Sequence, residues 1–173
     1  KKAAQQLKAT AKLGGLSDEL RTWIAKQVEF VDLNEKAYAT YTQAKALATQ
    51  AGEMARRKGQ MENALEAYTQ AMSSYGNIPG RSMFAAQAAT DVDALGQEAF
   101  KRLVADLKRR MRSPNPNWGA TVDIIVNSQD FARGSDQRQV LRRLAEEADT
   151  NRRDEEYYVQ ATKLINQRIL AKY

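Results

Sequence analysis

Residues 44–79 read AKALATQAGEMARRKGQMENALEAYTQAMSSYGNIP, and the fold follows from how this stretch is parsed. Its first part sets Ala44, Ala48, Ala51, Gly52 and Ala55 at steps of three and four, which is one face of an α-helix. All five side chains are small, so a second helix can lie close against that face. The second part repeats the spacing with Met61, Ala64, Leu65, Tyr68, Ala71, Met72 and Tyr75. Between them, Arg56-Arg57-Lys58 is followed by Gly59. Cations in a last turn suit the helix dipole, and a glycine just beyond suits a left-handed cap, so the chain is expected to turn back there. The second arm ends at Gly76-Asn77-Ile78-Pro79-Gly80, where proline cannot continue a helix.

Outward from this hairpin, the same grammar continues. Toward the amino terminus, Ala3, Ala4, Leu7 and Ala11 predict a helix that ends at Gly14-Gly15. Ser17, followed by Asp18 and Glu19, has the form of a helix start. Leu20, Trp23, Ile24, Val28 and Val31 then form an apolar stripe. Asp32 and Glu35 have capping-box spacing, so either a new helix starts there or one helix runs on into Tyr38, Tyr41 and the hairpin. Toward the carboxyl terminus, Ser82 is placed to cap a long helix running from Phe84 to Met111. Ser113-Pro114-Asn115-Pro116-Asn117 must break it. Residues 121–127, TVDIIVN, have strand character but no second strand to pair with, and are read as a short buried helix. Gly134-Ser135 opens a helix bearing Val140, Leu141, Leu144, Ala145 and Ala148. Thr150 or Asn151 is read as the start of a last one, with Tyr158, Ala161, Leu164, Ile165 and Ile169.

In the central stretch, Gly52, Ala64, Tyr68 and Ala71 match the small, small, aromatic, small spacing of a known 34-residue helix-turn-helix unit. Residues 44–79 therefore resemble a tetratricopeptide repeat. Ala48, Ala51 and Ala55 stand where that family usually has Trp, Leu and Tyr, and no second copy recurs at a fixed period. The resemblance implies stacked hairpins whose concave face binds peptides or partner chains, with Gln43, Gln50 and Glu53 of the first arm on the partner side. An ordinary antiparallel helix pair gives the same small-residue pattern.

The expected fold is all-α: seven or eight helices as stacked antiparallel hairpins, in a TPR-like solenoid or a helical bundle. The expected organisation is an amino-terminal array over residues 1–113, a Pro/Asn linker at 114–119 and a carboxyl-terminal helical hairpin over 120–173. Composition agrees, with only 9 Gly and 3 Pro in 173 residues and 43% hydrophobic side chains.

The same composition narrows function. There is no cysteine and no histidine, which removes disulfides, thiolate metal sites, a Cys nucleophile and the commonest general base and metal ligand. The carboxylate pairs Glu146-Glu147 and Glu155-Glu156 point about 100° apart on a helix and each lies one turn from arginine, so they read as solvated ion pairs. No Gly-rich phosphate loop occurs. A non-catalytic chain with no metal and no cofactor is expected. No apolar run is long enough to cross a membrane, and the compartment is left open. Lys1-Lys2 in the place of a starting methionine predicts a preceding segment, a cleaved leader being one form of it.

The expected role is a protein–protein interaction scaffold or adaptor whose partner is another protein chain or a second copy of this one. The tyrosines add Tyr157 to the candidate partner-binding residues, since such side chains are enriched at interfaces. A second reading is a structural subunit of a large assembly, such as a virion or a bacterial complex. A third is a basic nucleic-acid-binding protein, because the net charge is +6. Lys108, Arg109 and Arg112 are its candidate phosphate contacts. The positive charge is spread along the chain, however, and a basic helix end is also explained by its dipole.

Overall fold

The structure is a computed structural model and describes residues 2–170, leaving aside the side chains at 165 and 168–170. Within this span the chain is all-helical. It comprises α1 (Lys2–Thr10), α2 (Asp18–Met54), α3 (Met61–Gly76), α4 (Ala85–Met111), α5 (Trp118–Asn127), a 3-10 turn (Gln129–Phe131) and α6 (Ser135–Leu170). It divides into two compact units, residues 1–96 and 97–173, so α4 begins in the first and ends in the second. The Pro/Asn segment does end α4, but it lies inside the second unit.

In the first unit, α2 starts at the expected cap, where Ser17 Oγ accepts from the Leu20 amide. The turn after α2 places Gly59 at φ +78°, the left-handed conformation that a glycine tolerates. α3 then returns along α2. Near the turn, the Tyr68 hydroxyl lies against Gly52, and farther on the rings of Tyr75 and Tyr41 meet at 5.5 Å. Along this contact the surfaces are small and closed: Ala44, Ala51, Ala64 and Ala71 are each 0% exposed. The chain then adds Ile78 and Ala88 to Ala37, Ala44 and Tyr75 in one core, bordered by Tyr41, Phe84, Val92 and Leu95. α1 packs on α2, and Lys8 Nζ donates to Asp32 Oδ2 at 3.1 Å.

In the second unit, α5 is the short buried helix expected from TVDIIVN, with Thr121, Ile124 and Ile125 inside. Asn117 caps it, its Oδ1 accepting from the Ala120 amide. α5 packs on α6, whose buried side chains are Leu141, Leu144 and Ala148.

Six α-helices form among the described residues, not seven or eight. At Asp32 the second of the two readings holds and one helix runs on, while the start read at Thr150 or Asn151 does not occur; each has a local reason. Asp32 is engaged by Lys8 of α1, and Asn34 donates to the Phe30 carbonyl while its Oδ1 accepts from the Met83 amide at 2.7 Å. These side chains are used sideways, so α2 runs on. At the second place, Thr150 donates to the Glu146 carbonyl and Asn151 to the Glu147 carbonyl. A side chain bonded back to the preceding turn sits within a helix, and α6 passes straight through. Ser82 does not cap α4 either; the helix begins three residues later, and the Ser82 hydroxyl is buried without a partner. The expected stripe positions Ile165 and Ile169 lie outside the described side chains.

Candidate interaction surfaces

The apolar stripe at the start of α2 is only partly covered. Ile24 is 2% exposed, but Leu20, Trp23, Phe30 and Tyr38 all stand out into solvent. The bond from the Met83 amide to Asn34 pins the turn before α4 onto α2. Together they form a groove of about 510 Å³ lined by Phe30, Val31, Asn34, Glu35, Tyr38, Met83 and Phe84. Phe84 makes its inner wall, with ring centroids 5.6 Å from both Tyr38 and Tyr41.

Behind the wall lies a polar clamp. Tyr41 donates its hydroxyl hydrogen to Asp91 Oδ2 at 2.7 Å, and Gln87 Nε2 donates to Asp91 Oδ1 at 2.7 Å. That bond, with burial and the Asp91 charge, raises the Tyr41 pKa. Burial, with the same carboxylate nearby, pushes Tyr75 up to about 12. Tyr41, tied to Asp91, in turn packs its ring on Phe84. Aromatic walls around an open apolar floor suit an inserted apolar side chain, as when a partner helix lies in a groove.

A second groove, of about 680 Å³, belongs to the second unit. It lies between residues 115–119, with Trp118, and the α6 face carrying Arg152, Glu156, Val159 and Gln160. Arg152 is taken up by Asp149 at 2.8 Å and Glu156 at 3.4 Å, and Arg153 reaches Asp149 at 2.6 Å. The Arg152 guanidinium holds the Asp149 carboxyl below its ordinary range, with Arg153 adding to the effect.

The candidate residues fall as follows. Gln43, Gln50 and Glu53 are exposed on α2 in the first unit. Tyr157 is 76% exposed on α6 in the second, beside Tyr158 at 73%. Lys108 and Arg109 lie in the last turn of α4 and Arg112 just beyond it, and all three are exposed. Arg109 is paired with the buried carboxylate of Asp106, which also binds Arg110 at 2.7 Å. The ion pair Arg142–Glu146 forms at 3.0 Å on the surface, as its spacing suggests. Among the described residues no three carboxylates gather where they would hold a metal ion, and no helix is long and apolar enough to cross a membrane.

Sequence reasoning missed the α2 groove. Phe30 and Met83 belong to no stripe that the periodicity marks. The available signal was Trp23, Phe30 and Tyr38 at steps of seven and eight, an aromatic row beside the aliphatic one.

Compared with known proteins, the chain matches no family model, no curated protein and no solved structure.

Proposed function

We propose that this chain is a non-catalytic interaction scaffold that binds another protein chain through the aromatic groove of its first unit. The observation that supports this is the groove itself. Phe30 is 44%, Tyr38 58% and Met83 74% exposed, and they surround a pinned and partly buried Phe84. Large apolar side chains left together at a surface are characteristic of binding sites. A tetratricopeptide-like origin of the α2–α3 pair belongs to the same reading. Ala64, Tyr68 and Ala71 are buried, and Gly52 lies against Tyr68, at the positions that family fills with small and aromatic residues.

The test is retention of partners from lysate of the source cell on immobilised protein, with wild type compared to a Phe30→Glu, Tyr38→Glu double variant. Both side chains are exposed, so helicity by circular dichroism should not change. A defined partner held by wild type and lost by the variant is the expected result. An identical retained set for both proteins would overturn the assignment to this groove.

A further inference from the structure

Beyond Ala148, α6 has no buried residue among those described, yet it continues to Leu170. Tyr157, Tyr158, Val159 and Leu164 on it are between 59% and 76% exposed. At 100° per residue, Tyr157, Tyr158, Ala161 and Leu164 fall within an arc of about 120°. That arc is on the side of the helix away from Arg152, Glu155, Glu156 and Gln160, which border the loop at 115–119.

Two properties of this face identify its occupant. The first is its symmetry. Ala161 is central, with Tyr157 and Tyr158 four and three residues before it and Leu164 three after it. Turned end over end about Ala161, the pattern places aromatic rings against an aliphatic side chain and one small residue against another. The second is charge. Residues 154–156 are Asp-Glu-Glu, whereas residues 157–173 contain Lys and Arg but no acidic residue. Asp154 and Glu155 make no ion pair among the described residues, since Arg152 and Arg153 are taken up by Asp149 and Glu156. Glu155 and Glu156 border the loop at 115–119, but Asp154 falls on the exposed arc, so the arc has an acidic position at its start and cationic residues beyond it. Two copies side by side in parallel would set like against like; two antiparallel copies would set each acidic end on a basic one.

We propose that residues 150–170 of α6 pair antiparallel with the same segment of a second copy of the chain, about a two-fold axis at Ala161. Such an interface is self-complementary and closes on itself as a dimer. The proposal rests on the interaction reading given above but uses a different surface, so the two can fail separately.

The absence of cysteine makes the geometry directly testable. A single Ala161→Cys variant places two thiols across the axis, within the short Cα separation that a disulfide needs. A Thr150→Cys variant places its two thiols roughly 33 Å apart, from eleven residues on each helix at 1.5 Å per residue. On mild oxidation, Ala161→Cys should convert to a covalent dimer and Thr150→Cys should form no covalent crosslink. Sedimentation equilibrium of the unaltered protein should give twice the chain mass, and Tyr158→Glu with Leu164→Glu should return it to the monomer with helicity retained. Equal crosslinking at the two positions, or a monomer at all concentrations, would overturn the proposal. If that monomer still retained its partner through the α2 groove, the scaffold reading would stand without it.

Discussion

Tyr75 is 4% exposed, packed edge-on against Tyr41 and within the field of Asp91. Burial first, and then the carboxylate, favours its neutral form. Its folded pKa is raised to about 12 from the ordinary value of 10.0. The unfolded chain therefore loses this proton at lower pH than the folded one. The stabilisation is complete below the ordinary value and is lost as pH rises toward the folded value. Tyr41 is shifted in the same direction. Urea unfolding across this alkaline window should show falling stability, and Tyr75→Phe should flatten most of the fall; an unchanged slope would show that Tyr75 is not its source. Ser82 presents the opposite case, a buried hydroxyl with no partner. It pays desolvation with nothing in return, so Ser82→Ala should leave the melting temperature unchanged or raise it. A clear fall in a thermal circular-dichroism scan would contradict this.

Helix continuity is decided by short-range choices of this kind. Ser17 and Gly59 were legible because each acts on its own backbone: a hydroxyl reaching the amide three residues on, and a left-handed turn that favours glycine. A Cβ added at Gly59 would meet no atom within 4 Å, so the cost of Gly59→Ala is backbone strain alone. Chemical denaturation should show a loss of about 1 kcal/mol. At Asp32 the sequence left two readings open, and at Thr150 and Asn151 it pointed to a start that does not occur. The same polar groups can open a helix or bond within it, and for Asp32 the choice follows from Lys8, 24 residues away. Exposure was illegible for a related reason. Periodicity shows which side of α2 is apolar, but Trp23 on that side is 54% exposed because nothing in the pattern tells how far a covering element extends. At the contact of α2 and α3, Ala51 is 0% exposed, and Ala51→Leu should cost about 1–3 kcal/mol by overpacking, read as a lower denaturant midpoint.

For the molecule as a whole, the 27 Lys and Arg side chains are less available than their number implies. Asp106 holds Arg109 and Arg110, Glu98 holds Arg102, and Asp149 holds Arg152 and Arg153. Binding to a polyanion follows the number of phosphates neutralised, so the chain should leave heparin below about 0.5 M salt. Retention beyond that would favour a nucleic-acid role for Lys108 and Arg112. The all-α class was readable because alanine periodicity recurs along the whole chain, whereas the division within α4 was not, since Gly96 suggests at most a bend and the helix runs through it. The alanine contact of α2 and α3 also has a hereditary side. At Ala44, Ala51, Ala64 and Ala71 almost every replacement is an enlargement, so inheritance there is confined to a few interchangeable small letters. The outward residues between them are free to drift. A lineage that keeps such a contact hands down very little text, and its distant members can share a shape while having almost no spelling in common.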